Sequence, residues 1–154
     1  MGWVDSLRGS VVGLDTAPII YLIEESPTYL RVVDPFFEGI ARGEIVAVTS
    51  IMSLLETLVH PIRSANAHLA QKYRDILLGS EGLNTLFLDQ DIAEEAARLR
   101  AFHNIRTPDS IQMATAIIGK ASFFLTNDKY LPSLPNLKIL MLDDLLKEDQ
   151  KKES

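Results

Sequence analysis

Short apolar runs alternate along this chain with stretches of helical periodicity, and that alternation limits its fold more than any other feature. Residues 10–15, Ser-Val-Val-Gly-Leu-Asp, read as a buried strand closed by an acid. Thr16 offers an N-cap and Pro18 suits a first helical turn, so a helix is predicted over residues 17–25. A second helix is predicted over 28–42, stopping at Gly43. Residues 44–49 are rich in β-branched side chains and read as the next strand. After them Ile51, Leu54, Leu55, Leu58 and Val59 fall at the spacing of one buried helical face, with Pro61 as its expected end. Further helices are predicted over 64–78, from a cap at Asp89 or Asp91 to about Phe102, and from residue 107 through Ile118. Strands are predicted at 85–88, 123–126 and 137–142. Strands separated by helices imply a three-layer α/β/α domain with a mostly parallel five-stranded sheet.

The remaining boundaries follow from composition. Residues 1–9 form an N-terminal extension in which Trp3 either packs locally, mediates a contact or lies in a loose end; 10–143 form one domain; 144–154 form a charged tail expected to fray. No apolar run reaches the roughly 18 residues that span a bilayer, so no membrane association is expected. The chain has no cysteine, which excludes disulfides, thiolate metal sites and thiol catalysis and fits a cytoplasmic setting. Its formal charge of −6 argues against non-specific binding to nucleic acid, which rests on a basic face. A nuclease that gathers carboxylates around divalent ions is the exception, because the ions reverse the local field.

Ligands of open α/β sheets collect beyond the carboxyl ends of the strands. Four acids fall there: Asp15 after the first strand, Glu56 about two turns into the helix after the second, Asp109 at a helix start, and Asp128 two residues past the fourth strand. Each has a local explanation too. Asp15 can open a turn, Glu56 can be a solvated helix acid, Asp109 is favoured by the helix dipole, and Asn127-Asp128 is ordinary turn chemistry. Together they suit Mg²⁺ or Mn²⁺, hard cations that prefer carboxylate oxygen and keep positions open for phosphate. The three histidines show no metal-ligand spacing. Arg106 and Lys129, beside Asp109 and Asp128, are the basic residues best placed to meet a phosphate, or else are solvated surface charges.

These segments resemble the four motifs of the PIN domain family. Val11-Val12-Gly13-Leu14-Asp15-Thr16 is similar to its opening strand, residues 49–56 to its second signature with one helical Glu, residues 109–116 to its Asp-led buried helix, and Leu125-Thr126-Asn127-Asp128 to the fourth. The resemblance covers roughly residues 10–143 and implies a Mg²⁺- or Mn²⁺-dependent ribonuclease. It implies Asp15, Glu56, Asp109 and Asp128 as the catalytic and metal-binding set, with Thr16 and Thr126 as supporting polar residues. Among PIN domains the chain looks most like VapC-type toxins, which implies an RNA substrate, an antitoxin partner and a homodimer. The first strand begins later than is usual for the family, after Gly9. A PIN-like module that binds RNA or protein without cutting is the alternative. Phosphotransfer on an aspartate would want a second acid beside the first strand, which is missing, although Lys129 is present.

Overall fold

The computed structural model describes residues 2–153. Met1 and Ser154, the outer ends of the expected extension and tail, lie outside the described residues. The sheet has five strands, β1 (Val11–Leu14), β2 (Val46–Ser50), β3 (Leu83–Leu86), β4 (Phe123–Thr126) and β5 (Lys138–Met141), in the order β3-β2-β1-β4-β5 and parallel throughout. Around it run α1 (Thr16–Ile23), α2 (Leu30–Ala41), α3 (Ile51–Arg63), α4 (Ala67–Gly79), α5 (Gln90–Phe102), α6 (Thr107–Ile118) and α7 (Leu142–Glu153). The chain builds outward from β1 to β2 and β3, then returns through α5 and α6 to lay β4 on the other side of β1. That reversal makes the carboxyl ends of β1 and β4 the switch point, where a crevice opens. No described helix is long and apolar enough to cross a membrane.

Strand alternation builds two cores. Val12, Leu14, Ala47 and Leu125 point into one, with Ile19, Phe36, Tyr73 and Leu77 from α1, α2 and α4. Val48 and Phe124 point into the other, against Ile92, Leu99, Met113 and Ala114 from α5 and α6. Gly13 sits where α6 crosses β1. A Cβ there would lie 2.4 Å from the Ala116 Cβ and 3.0 Å from Phe124 Cδ1, so only glycine admits this close approach. The expected extension is tied down: Trp3–Leu7 form a 3-10 turn, Leu7 is buried, and Trp3 stacks on Phe36 at 5.7 Å.

Several local expectations are corrected. Asp15, not Thr16, caps α1, because its carboxylate accepts from the Thr16 amide. Only part of the stripe predicted to be buried on α3 faces the core: Leu54 and Leu58 pack against it, half-buried. Ser53, Thr57 and Pro61 face inward, while Leu55 and Val59 are 60% and 44% exposed. Pro61 does not end α3 either: it lies in the last turn, where its missing N–H forfeits a single helical bond. Of the two candidate caps for α5, Asp89 takes the role by accepting from the Ile92 amide. β3 lies two residues earlier than predicted, leaving Phe87 and Leu88 exposed beyond it. α4 starts at Ala67 on an Asn66 cap, after a turn in which Ala65 has positive φ. The charged end, expected to fray, forms α7: Leu142 and Leu145 are buried, and Arg31 pairs with Asp149 at 2.7 Å.

Candidate active site

Asp15 leaves β1 into the crevice, partly buried. Its Oδ1 accepts from the Thr16 amide at 2.9 Å and its Oδ2 from the Thr126 hydroxyl at 2.7 Å. Burial holds the carboxyl above its ordinary value; those two bonds pull it back down, and the negative charges of Asp109 and Glu56 push it up again. That coupling brings acids from β1, α3 and α6 into one electrostatic neighbourhood.

Glu56 faces the crevice from α3. Its Oε1 accepts from the Thr16 hydroxyl at 2.9 Å and from the side-chain amide of Gln112 at 3.3 Å. Behind it, Gln112 Nε2 also lies 3.0 Å from Ser53 Oγ and 3.2 Å from Thr16 Oγ1, while Thr49 donates to the Leu14 carbonyl at 2.9 Å and meets Ser53 at 3.2 Å. These are buried groups. Gln112 Oε1 is buried with no hydrogen-bond partner among the described residues, a situation that costs about 1–3 kcal/mol.

Asp109 sits in the first turn of α6, where its charge suits the helix dipole. The Arg106 guanidinium holds its Oδ2 at 3.1 Å, although the Arg106 side chain is 79% exposed. The bond and charge of Asp109, with Asp128 and Glu56 behind it, keep Arg106 firmly protonated. Arg106 thus sets a positive charge beside the acids. Asp128 stands at the outer side. Its amide donates to Thr126 Oγ1 at 3.0 Å, so Thr126 links it to Asp15, and its Oδ1 accepts from the Tyr130 amide at 2.9 Å. Lys129 lies over the exposed Tyr130 ring, 5.3 Å from its centroid.

Asp15 thus feels the charges of both Glu56 and Asp109, and Asp128 reaches the group through Thr126 and Arg106. Thr16 and Thr126 each bond carboxylates of this group. Sequence reasoning missed Ser53, Thr49 and Gln112. A signal for two of them was present: Ser53 lies three residues before Glu56 and Gln112 three after Asp109, one helical turn from an acid. Among the described residues no three acids close into a ready-made ion cage. The donor chemistry nevertheless fits a hard cation: it is all carboxylate oxygen and it is backed by hydroxyl and amide donors.

The family model of the PIN domain matches residues 12–137, most of the chain. The chain belongs to the PIN domain family. Solved structures with this fold include a chain of the VapBC2 complex from Rickettsia felis, bound to a promoter DNA fragment, with TM-score 0.67, 20% identity, and coverage of 85% of this chain and 98% of that one. A toxin–antitoxin complex from Klebsiella pneumoniae matches with TM-score 0.63, 24% identity and coverage of 83% and 95%. VapC20 of Mycobacterium tuberculosis, a toxin that cleaves the sarcin–ricin loop, matches with TM-score 0.59, 17% identity and coverage of 75% and 87%. No curated protein matches the chain in sequence. At these identities the structures share the fold with this chain.

Proposed function

We propose that this PIN domain is a Mg²⁺- or Mn²⁺-dependent endoribonuclease of VapC type, hydrolysing RNA to 5′-phosphate and 3′-hydroxyl ends. The observation that carries the reading is the convergence of acids beyond the sheet's switch point: Thr16 bonds both Asp15 and Glu56, Thr126 bonds Asp15 and the Asp128 backbone, and Arg106 pairs with Asp109, whose charge reaches Asp15. Asp15, Glu56, Asp109 and Asp128 would hold the metal. When bound, the ion supplies a water of lowered pKa and stabilises charge at the phosphate. Thr16 fixes Asp15 through its amide and Glu56 through its hydroxyl, so one residue sets the spacing of two ligands. Thr126 does the same for Asp15 and the Asp128 backbone. Arg106 and Lys129 would take the phosphates flanking the scissile bond, and the exposed ring of Tyr130 offers a face to an unpaired base. The test is incubation of a tRNA and rRNA pool with Mg²⁺, Mn²⁺ or EDTA, beside the Asp15→Asn variant. Discrete fragments that need metal and Asp15 support the reading, whereas metal-independent or Asp15-independent cleavage refutes it.

Arg106 holds Asp109 through Nε–H alone, so its charge competes with a metal ion for that carboxylate while its other N–H groups are left for a phosphate. Arg106→Ala is expected to lower the metal concentration for half-activity by roughly two- to fivefold, the scale of an exposed pair. The KM for RNA should rise in the same variant, since a phosphate partner is lost. The pair is exposed, so the melting temperature should not move. Metal and RNA titrations of the cleavage rate read both effects.

The partners form part of the proposal. An antitoxin lying across the crevice is supported by the toxin–antitoxin complexes among the structural relatives. A homodimer is supported by α3, whose Leu55, Val59 and Ile62 form an exposed apolar stripe. Leu55→Asp combined with Val59→Asp should convert the purified protein to monomer by light scattering, without loss of helical content. A dimer unchanged by both substitutions would remove α3 as its interface.

A further inference from the structure

We propose that Gln112 is a positioning residue for the metal site, acting through Glu56; the inference rests on the nuclease reading above. The case is a count of protons. Thr49 gives its hydroxyl proton to the Leu14 carbonyl, so toward Ser53 it can only accept. Thr16 gives its proton to Glu56, so toward Ser53 and Gln112 it can only accept. The two N–H groups of Gln112 therefore point at Ser53, Thr16 and Glu56, so that two donors of the network, the Thr16 hydroxyl and the Gln112 amide, converge on one carboxylate oxygen, Glu56 Oε1. Among the described residues Glu56 Oε2 has no hydrogen-bond partner, which leaves that oxygen for a cation.

The orientation of the amide adds a second argument. Gln112 is 3% exposed and its carbonyl oxygen has no partner. Turned over, the amide could receive a hydroxyl proton from Ser53, but it would set a carbonyl oxygen against the Glu56 carboxylate. An unpaired carbonyl is tolerated because the charge on Glu56 requires donors. A residue present only to fill space at this position would be apolar, like its neighbours Ile111 and Met113. Gln112 lies one turn below Asp109 on α6, so a single helix supplies one acid of the site and fixes another on α3.

The test uses the full-length protein and Mn²⁺ alone as probe. Gln112→Met keeps the length of the side chain while removing both donors and the unpaired carbonyl. Mn²⁺ affinity by calorimetry or electron paramagnetic resonance is expected to fall about tenfold, the scale of losing a partner behind a metal ligand. The melting temperature of the metal-free variant should hold or rise, and saturating Mn²⁺ should restore most of the cleavage rate. Ser53→Ala, which removes an anchor of the amide, should weaken Mn²⁺ in the same direction and serves if the first variant fails to fold. Unchanged Mn²⁺ affinity in both variants, or a loss of stability alone, overturns the inference while leaving the nuclease reading intact. Failure of the wild-type protein to bind Mn²⁺ more tightly than Asp15→Asn overturns both.

Discussion

Asp15→Asn is expected to abolish cleavage and at the same time to raise the melting temperature of the metal-free protein. Loss of a metal ligand should reduce the rate by at least about 100-fold, the upper end of what loss of a mere supporting partner costs. The gain in stability follows from burial. The Asp15 carboxyl titrates above its ordinary value of 3.8, chiefly because folding takes it out of water. Between 3.8 and the raised value the folded chain keeps a proton that the unfolded chain has lost, so stability falls as pH rises through that window. Above the window the penalty is complete. Asparagine carries no charge, and it can still accept from the Thr16 amide and turn its own N–H groups to Thr126 Oγ1. The stabilisation should be present at pH 7 and vanish as pH falls below 3.8. Each kcal/mol recovered is worth about 2–4 °C in a domain of this size. Mn²⁺ should reverse the order, raising the melting temperature of the wild type but not of the variant. Scanning calorimetry at pH 7 and at about pH 3, with Mn²⁺ added at pH 7, checks every part; a variant less stable than wild type without metal at pH 7 contradicts the argument.

Gly13→Ala is expected to harm both fold and site. The added Cβ would meet the Ala116 Cβ at 2.4 Å, a contact between two short, inflexible positions that rotamer change cannot relieve. Overpacking of this kind costs about 1–3 kcal/mol, or roughly 2–12 °C. The strain should lift α6 from β1. Asp109 and Gln112 ride on α6 while Asp15 follows β1, so the acids should separate and kcat should fall by about 10- to 100-fold even at temperatures where the variant is folded. Adding Ala116→Gly returns the space. Alone that change should cost about 1 kcal/mol in helix propensity, but in the Gly13→Ala background it should recover stability and activity together, a coupling that a double-mutant cycle measures directly. Simple additivity of the two changes would show that the close approach is not what limits the site.

The parts of this molecule that were legible in its sequence are the local ones. A parallel strand buried on both faces is an apolar run, so the existence and order of the five strands could be read from the residues, with Asp15 and Asp128 just beyond two of their ends. What was not legible depends on which neighbour a side chain meets. The stripe of Leu54, Leu55, Leu58 and Val59 announces one apolar face of α3, but periodicity cannot say that Ser53 and Thr57 are the residues turned inward. Ser53 is inward because a polar network runs beneath the site, and its partners there, Thr16 and Gln112, are 37 and 59 residues away in sequence. β3 was displaced because Phe87 and Leu88 extend its apolar run past the last paired residue, Leu86. The far end of the chain read as loose because of its charges, yet Leu142 and Leu145 anchor α7 and Arg31 receives Asp149.

The central position of β1 also bears on when the protein can become active during its synthesis. β1 is among the first segments to emerge, but one of its two neighbours in the sheet is β4, and the bond from Thr126 to Asp15 closes a loop of 111 residues. Until Phe123–Thr126 has been made, the edge of β1 is bare, Asp15 lacks one of its two donors, and α6 has no finished sheet to rest on. Pairings so distant form late and slowly. A ribosome would carry a growing chain with every acid except Asp128 already translated and still have no assembled site, so a truncated product ending before β4 should be inert and only the nearly complete chain should cut.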